Sequence, residues 1–169
     1  TYPAIPMTFG TNNTERMRID SSGDVGVGQI PSATSSYIVA LQVGEQANLY
    51  GHTVGTGAGS TTYLSNNITH NGGFKYINAD SGSQYTQAAG GHSWSRFASG
   101  SAGASATEIF VMRIDASGNV GINNSSPVEM LTLGSTSDTN VRMQFLSSTS
   151  GGNTIQFGDG TCASAYSGY

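Results

Sequence analysis

The chain has 169 residues, ten acidic and six basic, for a net charge of −4. Gly, Ser, Thr and Asn fill close to half of it, and Leu, Ile, Val and Phe make up less than a fifth. Six scattered basic residues and one cysteine exclude a basic nucleic-acid surface, an intrachain disulfide and a Cys-rich metal site, and no apolar run reaches the length of a membrane helix.

So few large apolar residues would suit a disordered chain, but the low charge, the four prolines and the fifteen aromatics argue for order. Helix formers are sparse and Gly interrupts most windows, so an all-β fold is expected. Thr1 in place of an initiator Met reads as the start of a segment of something longer.

In Arg16–Asp20, Met17 and Ile19 point one way and Arg18 and Asp20 the other. Ser21-Ser22-Gly23-Asp24 reads as a turn in which Gly23 takes a left-handed conformation. Val25 and Val27 then alternate with Gly26 and Gly28, giving a hairpin over 15–28. Pro31 kinks the chain, and a strand over 37–44 ends in Leu41-Gln42-Val43-Gly44. Residues 48–59 read as an outer strand running into a Gly-rich loop, which completes a first module, 1–59.

Residues 60–108 are rich in aromatics and read as a small β-rich insertion, a knob with a flexible return over 99–106. A second module, 109–169, then restates the first. Met112 and Ile114, the turn at Gly118, Val120 and Ile122, Pro127 and the Leu131–Gly134 strand follow in the same order. Residues 17–27 and 112–122 are identical at eight of eleven positions, with Asn119 in place of Asp24. Further strands are expected over 140–152 and 153–160, after which the second module stops in mid-pattern, as if truncated.

Each hairpin offers four medium apolar side chains on one face, worth roughly 1.5–3 kcal/mol each if fully buried. Ordering about a dozen residues costs about 1–2 kcal/mol apiece in backbone entropy. A lone hairpin loses that comparison. Packing identical chains around an axis would bury Met17, Ile19, Val25 and Val27 with Met112, Ile114, Val120 and Ile122, and would protect the strand edges.

Glu15-Arg16-Met17-Arg18-Ile19-Asp20 before a Gly turn, followed by a Pro and a Leu-x-Val-Gly strand, resembles tail-fibre and tailspike-like proteins of tailed bacteriophages, especially marine and cyanobacterial ones. Tyr63-Leu64-Ser65-Asn66-Asn67, Lys75-Tyr76-Ile77 and Gly91-His92-Ser93-Trp94 are similar to modules of such fibres. The resemblance implies an elongated, fibrous, intertwined parallel homotrimer on the virion, extracellular, working in host attachment. Its implied partners are its own copies, other tail or fibre proteins and a host-surface glycan, with no nucleic acid, membrane insertion or cofactor. In many such fibres a C-terminal chaperone follows and cleaves itself off.

Chemical motifs are weak. Val54–Ser60 has glycines spaced G-x-G-x-G, not as in a dinucleotide fingerprint, and reads as a loop. Gly91–Ser95 misses the nucleophile elbow, and His92 and Ser93, adjacent in a strand, point to opposite faces. Asp20 and Asp24 have too few neighbouring oxygen ligands for calcium and read as turn residues. His52, His70 and His92 lack the His-x-His pattern of a shared metal site, so no metal and no catalytic residue is expected. The better lead is Tyr63, Tyr76, Tyr85, His92 and Trp94, whose flat faces and polar edges suit sugar rings, set against their serving as the insertion's own core. Two other readings stay open: a polysaccharide-degrading tailspike with an acidic site between subunits, and a self-assembling extracellular filament.

Overall fold

A computed structural model describes residues 5–52 and 61–144. The Gly-rich run 54–60, the strand expected over 153–160 and Cys162 lie outside the described residues. Thr1–Asp138 form one compact unit. Of the second, Thr139–Tyr169, residues 139–144 are described and carry no regular secondary structure, so the strand expected over 140–152 is not formed in its described part.

The described residues are all-β, and none of them forms a helix long and apolar enough to cross a membrane. The strands are β1 (Met7–Thr11), β2 (Thr14–Ile19), β3 (Val25–Val27), β4 (Ile38–Val43), β5 (Ala47–His52), β6 (Thr61–Asn66), β7 (Ile68–His70), β8 (Phe74–Tyr76), β9 (Asp80–Ala88), β10 (Gly91–Gly100), β11 (Ile109–Ile114), β12 (Val120–Ile122) and β13 (Leu131–Leu133). Eleven of them make one sheet in the order β1-β2-β3-β4-β5-β6-β9-β10-β11-β12-β13. The β7–β8 hairpin forms a second, two-stranded sheet.

The hairpin expected over 15–28 is β2–β3, with Met17 opposite Val27 and Ile19 opposite Val25. Gly23 has φ 89° and its N–H donates to the Asp20 carbonyl at 3.1 Å. The stretch 112–122 folds alike. Met112 faces Ile122, Ile114 faces Val120, and Gly118 has φ 86° with its N–H on the Asp115 carbonyl at 3.0 Å. The likeness extends further back than the shared phrase. The β1–β2 ladder breaks between Phe9 and Gly10, and the β10–β11 ladder breaks between Trp94 and Ser95, each opposite the matching Met. It also extends forward. The strands after Pro31 and Pro127 pair in parallel with the hairpins, Val25 beside Leu41 and Val120 beside Leu131.

The span 60–108, expected as an inserted knob, supplies β6, β9 and β10 to the middle of the same sheet. Their alternating residues carry ladder hydrogen bonds on both sides, which an isolated knob could not offer. Only β7–β8 stands off the sheet, seated where glycines leave room. A Cβ on Gly82 would lie 2.6 Å from Ile68 Cδ1, and one on Gly100 would overlap the Tyr76 ring. Ile68, Tyr76 and Phe97 form the core between the two layers, and Ile38, Ala40 and Tyr50 form a second cluster.

The two-residue connection between β9 and β10 is Ala89-Gly90, with φ of 49° and 76°. A side chain at Ala89 is strained there, since the left-handed conformation costs an L-residue about 1–2 kcal/mol and is best tolerated by Asn or Gly. Ala89→Asn is therefore expected to stabilise the fold by about 0.5–1 kcal/mol in denaturant titration.

Candidate functional site

The two faces of the large sheet are covered unequally, and the buried Ile38, Ala40, Tyr50 and Phe97 all lie on the covered one. One face lies under the 29–37 connection, β7–β8 and the 101–108 loop. The cross-strand row beneath them reads Gly26, Gln42, Asn48, Ser65, Gln84 and Ser95, and the five polar side chains among them are buried. Their polar atoms are largely paired. Ser65 Oγ donates to the Ile68 carbonyl at 2.7 Å, Gln84 Oε1 accepts from Tyr50 Oη at 2.7 Å, and Gln42 Oε1 accepts from Ser32 N–H at 2.7 Å.

On the opposite face the neighbouring row crosses ten strands through Ile19, Val25, Leu41, Leu49, Leu64, Tyr85, Trp94, Met112, Ile122 and Leu133. Each is apolar or aromatic; Leu41, Leu49, Leu64, Trp94 and Ile122 are exposed and the other five half-buried. Leu64 is 58% exposed and Leu49 44%. A second row, Phe9, Met17, Val27 and Val43, lies beside it at the β1–β4 end. All eight residues expected on the apolar face of the hairpins lie on this bare face. Leu41, Leu49 and Leu64, which join the two hairpins into one stripe, were not among them. Each stands in an alternating strand, and that pattern is a signal for a face but not for which face stays bare.

The five aromatic candidates separate. Tyr85 and Trp94 belong to the bare row, with ring centroids 5.1 Å apart. His92 stacks on Tyr85, and its Nδ1 is 2.6 Å from the Tyr85 hydroxyl. Tyr76, expected as a ligand contact, is instead buried core whose hydroxyl donates to the Ala98 carbonyl, because the sheet and β7–β8 close over it. Tyr63 lies on the covered face, stacked on Tyr50 at 4.6 Å. Burial pushes both phenols up, so each stays protonated and able to donate.

Tyr63 also walls a cavity of about 340 Å³ between the sheet and β7–β8. Thr86 and Ser93 form its floor, cross-strand neighbours between Tyr63 and Arg113. Phe74, His70, His92, Phe110 and Glu108 also line it. Burial, and then His52 nearby, lower the His70 imidazole, which is therefore neutral at pH 7, with Nδ1 3.3 Å from Ser35 Oγ. The sequence singles out neither Glu108 nor Arg113, because only the β10–β11 pairing sets this segment beside Thr86 and Ser93.

His52 and His70 both set their rings against Tyr37, while His92 pairs with Tyr85. Among the described residues no group of three or more His, Cys, Asp or Glu is placed to hold a metal. Ser93 is buried in β10, a strand and not an elbow.

Asp20 is the turn residue, its Oδ1 accepting from Ser22 and Asp24 N–H at 2.8 and 3.0 Å. Asp24 departs from that expectation. It is 0% exposed, and its carboxylate accepts from Ala40 N–H and Thr34 Oγ, both at 2.7 Å, tying the turn to β4. Desolvation raises its pKa, outweighing the two donors. The folded chain therefore holds this proton more tightly than the unfolded chain. The stabilising effect of protonation is full below the ordinary carboxylate value and fades as pH rises through the raised one. Asp24→Asn keeps an acceptor for Ala40, so it should gain stability relative to wild type on going from pH 3.5 to pH 7. Asp24→Ala strands a buried N–H and should lose about 1–3 kcal/mol at pH 7. Chemical denaturation at the two pH values checks both.

No protein-family model matches the chain, and no curated protein matches it.

Proposed function

We propose that the chain is a structural and adhesive segment of a phage tail fibre, a homotrimeric β shaft that presents host-surface contact sites and performs no catalysis. The observation that carries this reading is the open face of the sheet, where an apolar row crosses ten strands with Leu41, Leu49, Leu64, Trp94 and Ile122 exposed among the described residues. An exposed apolar stripe of that extent is a liability for an isolated chain and an asset for one that packs against its copies. The likeness of β1–β4 to β10–β13 supports it too, because modules built alike present the same face at intervals along a shaft. The resemblance of the repeated phrase to tail-fibre sequences supplies the biological setting. Three copies per fibre would raise the avidity of weak contacts well above that of one site. Sedimentation equilibrium tests the assembly: a mass near three times 17.4 kDa is expected. A stable monomer with the row still bare would sink the reading.

A further inference from the structure

We propose that the cavity walled by Tyr63, Phe74, Glu108 and Arg113 is a binding site for a neutral pyranose ring. The assignment rests on the adhesive reading above and gives it a location. The cavity's floor, Thr86 and Ser93, lies on the covered face of the sheet, opposite the apolar row. Its volume of about 340 Å³ falls within the usual range for small-molecule sites, about 300–1,000 Å³.

The chemistry of the lining is that of a polyol site. Thr86 and Ser93 are small, so the floor leaves room, and both carry hydroxyls. Thr86 Oγ1 is taken by Gln84 Nε2 at 3.2 Å, whereas no described group hydrogen-bonds Ser93 Oγ. Glu108 accepts from Ser95 at Oε1 alone, leaving Oε2 without a described partner. Arg113 rests 5.8 Å above the Phe110 ring and donates from Nη1 to the Ser125 carbonyl, leaving Nε and Nη2. Aromatic walls suit the C–H faces of a sugar. A planar carboxylate acceptor and a planar guanidinium donor suit pairs of adjacent hydroxyls. The Glu108 carboxylate disfavours an anionic sugar, and Arg113 disfavours a cationic one. Phe74, Glu108 and Arg113 are half-buried, so the mouth opens to solvent.

Saturation-transfer NMR on the full chain, with methyl glucoside, methyl galactoside, methyl mannoside and methyl glucuronide as probes, tests this. Transfer to at least one neutral pyranoside is expected. Ser93→Val, which fills the floor with a residue suited to a strand, should abolish it. Glu108→Gln, which keeps the Ser95 contact, should weaken it about tenfold. If Ser93→Val lowers the melting temperature, Glu108→Gln alone decides. No transfer to any neutral probe, a preference for the glucuronide, or transfer unchanged in Glu108→Gln would overturn the proposal. A monomeric mass with transfer retained removes the fibre reading and leaves the cavity standing; a trimer without transfer does the reverse.

Discussion

Replacing Leu64 by Glu is expected to shift the assembly from a mass near three chains to a single chain of 17.4 kDa, with the strands intact by circular dichroism. Leu64 sits near the middle of the bare row, between Leu49 and Tyr85, and is more than half exposed in the single chain. In the monomer a carboxylate there stays in water and costs little. In an assembly that closes over the row, the same change removes about 1–2 kcal/mol of apolar burial per chain. It also sets a charge against apolar neighbours, which costs several kcal/mol more unless it is paired. Leu49→Glu, one strand away, should act in the same way. An unchanged mass in both variants would mean that copies do not pack through this row.

Gly26→Ala is expected to destabilise the fold by about 3 kcal/mol or more, a loss far above that of an ordinary surface change. Gly26 lies on the covered face beside Gln42, under the strap that leads from the hairpin into β4. A Cβ there would stand 2.7 Å from Pro31 Cδ and closer still to the Gln29 carbonyl oxygen, both of them parts of the backbone or a ring that cannot swing aside. Gly121 holds the same place in the second stretch, where a Cβ would overlap the Asn124 carbonyl oxygen, so Gly121→Ala should cost a similar amount. Gly51→Ala is the control. Among the described residues its Cβ meets nothing nearer than 3.4 Å, so a change within about 1 kcal/mol is expected. Urea titration of the three variants separates them; equal losses in all would remove the strap as the cause.

Much of the local structure is legible in the residues. Met17, Ile19, Val25 and Val27 alternate, and Gly23 stands where the turn needs a positive φ, so the hairpin and its register follow from period and turn chemistry alone. The same holds for Met112 to Ile122. The role of Asp24 was not legible. As a letter it matches Asn119, and both are turn formers, yet its carboxylate reaches Ala40, sixteen residues on. The aromatic candidates show the same limit. Tyr63, Tyr76 and Tyr85 are chemically equal in the sequence, but they end in a cavity wall, a closed core and a bare row.

By itself, then, the sequence determined that this protein is all-β, where its two hairpins turn, and which residues of each strand share a face. Those are properties of neighbours a few positions apart, set by side-chain alternation and by the backbone freedom of glycine. Only the tertiary structure decided that residues 60–108 run through the middle of the sheet and that loops cover the polar row. It also decided that the apolar row is the one left open among the described residues, and that Glu108 and Arg113 line one cavity with Tyr63 and Phe74. Each depends on which strands pair over long separations and on which side of the sheet a connection crosses. Alternation is symmetric between two faces, so it marks both and chooses neither.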